Sequence, residues 1–147
     1  MRLPTLALAA LASLALAAPV FAQSEEDILA QIEDLHGLSE QFGEAFGQLQ
    51  DSFLFDDPSG FASLGEYPLP VQANGEAYDL LEAQDLADNL DALLTPETQS
   101  ALAGQDFEDL IVNSDGVGFA NGAVWMNVVC ADEGCESGYW AITSINN

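Results

Sequence analysis

Lysine and arginine are all but absent: in 147 residues the only one is Arg2, and the only histidine is His36. Without cationic side chains the chain has nothing to clamp a phosphate, no lysine to form an imine and no basic stripe to track nucleic acid. With one imidazole, nucleophilic catalysis through an activated Ser or Cys would have to use His36, which sits beside Gly37 and reads as a helix-end residue. Two cysteines and one histidine fall short of a four-ligand structural zinc site, so no metal is expected. There is no glycine-rich phosphate loop, and no cofactor is implied. Repeats, linkers and low-complexity tracts are missing from the chain beyond its first 22 residues.

Those first residues have their own pattern. Arg2 precedes an almost unbroken Leu/Ala run from Leu3 to Ala18, then Pro19-Val20-Phe21-Ala22 and the polar start Gln23-Ser24-Glu25. Charge, apolar core and small residues at Val20 and Ala22 make a signal peptide, residues 1-22, cleaved after Ala22. The run approaches the roughly 20 residues a membrane span needs, which makes an uncleaved anchor the alternative, but alanine is only weakly apolar and the cleavage pattern is complete. Residues 23-147 then read as one domain, periplasmic or secreted, with no membrane anchor after cleavage.

Every one of the 25 Asp and Glu residues lies at or after Glu25. Removing Arg2 with the leader takes the formal charge from −24 to −25, with His36 neutral. A globule of this mass exposes about 6,000 Å², which spaces the acids roughly 16 Å apart. That distance exceeds the Debye length of about 10 Å at 0.1 M salt but not the roughly 30 Å at 0.01 M. The fold is therefore expected to need salt, with mutual repulsion raising carboxylate pKa values in the folded state. Such a surface repels nucleic acid and anionic lipid and attracts cations or a basic protein. Adaptation to a saline medium and steering of a partner both account for it.

Patterning divides the chain into helices followed by strands. Ser24 and Asp27 make a capping box, and Ile28, Ile32, Leu35, Phe42, Phe46, Leu49 and Phe53 recur at helical steps, with a break expected near His36-Gly37 and a restart at Ser39. Asp57-Pro58-Ser59-Gly60 is expected to stop this helix. Asn74-Gly75 joins Tyr67–Ala73 to Glu76–Leu80 as a hairpin whose prolines suit a sheet edge. Leu86, Leu90, Leu93 and Leu94 mark a further helix, and Thr95-Pro96 starts another that ends at Gly104. Leu110–Val112, Val117–Ala120, Ala123–Cys130 and Tyr139–Ile145 are strands separated by turn chemistry. The order specifies an α+β fold with N-terminal helices packed on a C-terminal antiparallel meander.

Cys130 and Cys135 are expected to form a disulfide in an oxidising compartment. If they face each other across the hairpin, Trp125 opposes Trp140, Asn127 opposes Gly138 and Met126 opposes Tyr139. The Asn121-Gly122 turn sets Gly118 opposite Trp125 and Gly116 opposite Asn127. One face then carries Val117, Phe119, Val124, Met126, Val128, Tyr139, Ala141 and Ile145 as core. The other carries Trp125, Trp140, Asn127, Gly116, Gly118 and Gly138, a candidate ligand-binding surface of paired indoles bordered by glycines. Burial of the same tryptophans under the N-terminal helix is the structural alternative.

Tyr67-Pro68-Leu69-Pro70-Val71, Asp109–Asn113, Gly116-Val117, Gly122-Ala123-Val124-Trp125 and the terminal Ile142–Asn146 resemble small exported bacterial proteins with a nuclear transport factor two-like (cystatin-like) roll. The resemblance covers Ser39 to the end and implies a cone-shaped roll in which a curved sheet wraps a long helix around a cavity. Its motifs are structural rather than catalytic. The reading is thus a non-catalytic exported binding domain for an apolar small molecule or a protein. Two alternatives remain: an inhibitor or immunity-type protein for a basic exported enzyme, and a small-cavity isomerase or hydrolase using a buried carboxylate with a tyrosine. The helical stripe Asp85, Asp88, Asp91 could hold a divalent cation weakly, but reads better as a solvated face.

Overall fold

The computed structural model describes residues 23–147, so the leader and its cleavage site lie outside the described residues. Among the described residues no helix is long and apolar enough to cross a membrane. The α+β order holds. Helices α1 (Glu25–His36), α2 (Ser39–Leu54) and α3 (Pro58–Ser63) precede the hairpin β1 (Leu69–Ala73) and β2 (Glu76–Leu80). Then come α4 (Ala83–Leu93), α5 (Pro96–Ala103) and the strands β3 (Ile111–Asn113), β4 (Gly116–Phe119), β5 (Val124–Cys130) and β6 (Gly138–Asn146).

Local chemistry explains where the helices begin and end. Ser24 and Asp27 cap α1 reciprocally, satisfying two of its orphan N–H groups. Gly37, at φ 71°, and Leu38, at φ 56°, turn the chain out of α1 and directly into α2. Asp57-Pro58 does more than stop α2: the Asp57 carboxylate accepts from the Gly60 N–H and Pro58 fills the first helical position, so the same residues start α3. Thr95 caps α5 in the same way, accepting from the Thr98 N–H.

The six strands form one sheet in the order β2-β1-β6-β5-β4-β3. Strands β3 to β6 are the expected antiparallel meander, but β1 enters beside β6 in parallel, pairing Val71 with Ile145 and Gln72 with Asn146. The hairpin prolines therefore do not lie on the sheet edge, which is β2. Pro70 is tolerated inside because the ladder to β6 begins only at Val71, so its missing N–H breaks no pairing.

The helices cover one face of the sheet. Phe42 and Phe46 of α2 meet Phe107, Phe119 and Trp140, with ring centroids 4.7–6.4 Å apart. This aromatic cluster packs between α2 and the sheet. Edge strand β3 is shielded by α1: Gln31 donates to the Val112 carbonyl at 3.3 Å and His36 Nε2 donates to the Asn113 carbonyl at 2.8 Å. An unpaired strand edge invites association, and these two side chains occupy it.

Candidate functional site

The disulfide between Cys130 and Cys135 is present, with its Cα atoms 4.8 Å apart. It does not set the strand register. Cys130 pairs with Gly138, and Cys135 lies in the connecting loop at φ 52°. The bridge ties the end of β5 to that loop instead of joining two opposed strand residues. Relative to the cysteine-derived register the pairing is displaced by three residues, and an odd displacement turns every side chain to the other face.

The consequence is that the paired indole patch does not form. Trp140 opposes Val128 rather than Trp125 and points into the core, 6 % exposed. Its ring meets Phe42 at 5.0 Å and His36 at 5.6 Å, and its Nε1 donates to the Leu38 carbonyl at 2.9 Å. The α1–α2 break thus does two things: it turns the chain and it presents the carbonyl that satisfies Trp140. Met126 opposes Ile142, Asn127 opposes Ala141, and Tyr139 opposes Val129. Gly138 packs against Val128 and Leu38, so it is not a border of the outer face. Tyr139 and Ala141 move from the expected core face to the outer one, and a bulge at Trp125/Met126 returns Ile145 to the core.

The β4–β5 register is as derived, with Gly118 opposite Trp125. Trp125, Asn127, Gly116 and Gly118 therefore remain together on the face away from the helices. Trp125 now opposes Ser144. A methyl group built on Gly118 would lie 3.1, 3.0 and 3.2 Å from the consecutive ring atoms Cε2, Cζ2 and Cη2. Near-equal distances to three consecutive atoms mean the ring lies face-on; an edge-on approach would leave the outer two much farther away. The indole is thus laid flat on β4, with Nε1 donating to the Gly122 carbonyl at 2.9 Å.

The support for that ring comes from residues the sequence did not single out. Buried Gln105 accepts from the Ala120 N–H at 2.8 Å, holding the turn that carries the Gly122 carbonyl. The turn is a 3-10 turn, Ala120–Gly122, with Ala120 and Asn121 both at positive φ, instead of a two-residue hairpin loop. Gly116, at φ 134°, lies against the Met126 carbonyl, where any side chain would collide. Asn127 Nδ2 donates to the Asp115 carbonyl at 3.0 Å and fixes the β3–β4 turn. Gly116 and Gly118 are buried, so they shape the surface rather than line it.

Around the flat indole the outer face offers Ile111, Val129 and Tyr139, and beyond Ser144 a shallow depression of about 360 Å³ reaches Pro70, Gln72 and Ala77. Strands β1, β3, β4, β5 and β6 contain no Asp or Glu at all. The acids gather instead on the helices, the loops and β2, leaving a neutral surface on a polyanion. Near its margin Tyr139 donates to the Glu66 carboxylate at 2.7 Å, which pushes the Tyr139 hydroxyl pKa up.

Every carboxylate is exposed except the half-buried Glu66. The carboxylates that shift, Asp27, Glu33 and Asp132, are held below the usual range, chiefly by backbone N–H donors at Ser24, Ser39 and Glu136 respectively. Tyr67, pushed up to about 12 by burial and then by the charge of Asp85, donates to the Ala62 carbonyl at 2.7 Å and stays a protonated structural hydroxyl. Among the described residues no three His, Cys, Asp or Glu side chains converge to hold a metal ion, the Asp85, Asp88, Asp91 stripe included. No family model matches the chain, and no match appears among curated proteins or solved structures.

Proposed function

We propose that residues 23–147 act as an exported, non-catalytic binding domain that engages a basic protein through the outer face of the sheet. The observation that carries this reading is the neutral strand surface bearing Ile111, Trp125, Val129 and Tyr139, surrounded by the acidic helices and loops of a chain with 25 carboxylates. An apolar centre supplies contact area, and a charged surround sets orientation and on-rate more than affinity. A partner with an apolar knob ringed by Lys and Arg is complementary on both counts. Inhibition or neutralisation of a basic exported enzyme is one task such a surface serves.

Export is part of the proposal and rests on the leader pattern together with the Cys130–Cys135 bridge, which requires an oxidising compartment. The test is to immobilise the protein and offer it purified basic exported proteins from the same organism at low salt. Binding should be lost in a Val129→Asp variant, whose new charge falls on the outer face, and retained in Leu54→Asp at the end of α2. No capture of any basic protein, or equal loss in both variants, rejects the reading.

A further inference from the structure

Trp125 lies flat on the outer face, and its surroundings define what can cover it. One side rests on Gly118, and the N–H is committed to Gly122, which fixes the ring's rotation. No other aromatic ring among the described residues stacks with it, whereas Trp140 has two neighbours. The residue opposite, Ser144, and the one beneath, Gly118, are both small. The helices lie on the other side of the sheet. Trp125 is half-buried, and with Gly118 beneath it, the small Ser144 opposite and the helices on the other side of the sheet, the part of the ring left open is the face turned away from β4.

An indole face carries the negative end of the ring quadrupole and is the best protein partner for a cation. Here it stands on a molecule whose net charge concentrates cations at its surface. The chain has no Lys or Arg after Arg2, so no such side chain of its own folded domain can occupy the face. A planar guanidinium stacks on an aromatic face where an ammonium makes only a point contact, and is more weakly hydrated.

We propose that Trp125 is a cation–π seat for an arginine side chain of the basic partner. The inference rests on the proposed function and names the anchor of that interface. Gly118 is the positioning residue: a β-carbon there would press on the ring at 3.0–3.2 Å, and the ring would have to lift by a few tenths of an ångström. Carboxylates around the sheet contribute attraction that is long-ranged and not specific to guanidinium.

The probe is an acetylated tetra-arginine amide, compared with its citrulline counterpart, which has nearly the same shape and no charge, and its lysine counterpart. The full protein is titrated at fixed ionic strength while the two indole N–H resonances are followed by NMR. With the arginine peptide the Trp125 signal should move and that of buried Trp140 should not. The citrulline peptide should leave both in place, and the lysine peptide should bind more weakly. Trp125→Leu should lower affinity for the arginine peptide by about twofold to thirtyfold, the span of cation–π contacts from exposed to desolvated. Trp125→Phe should fall between, which keeps the comparison valid if the leucine variant does not fold.

Equal movement with citrulline would make the platform a neutral stacking surface and overturn the proposal. Unchanged affinity in a folded Trp125→Leu or Trp125→Phe variant would reduce the binding to general attraction and overturn it as well. A basic protein captured in a Val129-dependent manner but indifferent to Trp125 leaves the proposed function standing without this anchor. Arginine stacking without capture of any basic protein does the reverse.

Discussion

At Gly116 the backbone takes φ 134°, and a β-carbon there would run into the Met126 carbonyl of the neighbouring strand. Gly43 and Gly47, inside α2, have nothing within 4 Å of the same hypothetical atom. Glycine is required at the first site and only loosens the helix at the other two. Gly116→Ala should therefore destabilise by about 1–3 kcal/mol through strain. Gly43→Ala and Gly47→Ala should each stabilise by about 0.5–1 kcal/mol by restricting the unfolded chain and restoring helix propensity. Urea denaturation with unchanged m-values checks both signs, and a Gly116→Ala protein as stable as the parent would disprove the strained backbone. These roles were only half legible in the sequence. Gly118 and Gly116 could be set on the Trp125 face from the Asn121-Gly122 turn, but the flat seat depends on Gln105, whose side chain meets Ala120 from 15 residues away. No local pattern reports such a contact.

Helix α1 is held at three places, two of them by carboxylates. Asp27 accepts from the Ser24 N–H at its start, and Glu33 accepts from the Ser39 N–H at the junction with α2, both at 2.9–3.0 Å. These bonds hold both carboxyls below their ordinary values. A folded pKa below the unfolded one contributes stability above the ordinary carboxylate range, and that contribution is lost as pH falls through the lowered folded value. This sign opposes the surface-wide repulsion expected from composition, because a local N–H donor acts on one carboxylate at hydrogen-bond distance. As pH falls below about 4, in the ordinary carboxylate range, hydrogen-exchange protection in α1 should decline before that in α2. The double variant Asp27→Asn/Glu33→Gln should remove most of that difference, and an α1 as acid-resistant as α2 in the parent would refute the assignment. The third tie, Gln31 and His36 on the edge of β3, is the kind of contact periodicity cannot reveal. The helix starts at Ser24 and Thr95, the Asn74-Gly75 turn and the meander were all readable because each is written in adjacent residues. The parallel β1–β6 pair joins residues some 74 positions apart, Val71 with Ile145, and leaves no local trace. The cysteine spacing misled because a disulfide inside a loop looks, in sequence, like one closing a hairpin.

Across the whole molecule the charge acts in two directions at once. The fold has no Lys or Arg counter-charge within residues 23–147, and nearly all its carboxylates face solvent, so self-repulsion opposes compaction wherever screening is weak. Spacings of roughly 16 Å lie within the Debye length of about 30 Å at 0.01 M salt but beyond the roughly 10 Å at 0.1 M. Most of the relief should therefore arrive between these concentrations and level off by 0.5 M. The melting temperature should rise with NaCl along that curve and equally with other monovalent chlorides, since screening depends on ionic strength and not on ion identity. A dependence on one particular cation would instead indicate a bound ion. Association with a basic partner should respond oppositely, because the same ions screen the attraction that steers it. Measured on one preparation, raising NaCl from 0.01 to 0.5 M should stabilise the domain while weakening its hold on the arginine peptide. Equal melting temperatures at the two concentrations would show that the acids are too far apart to strain the fold, and would leave partner attraction as the consequence of the charge that salt still reaches.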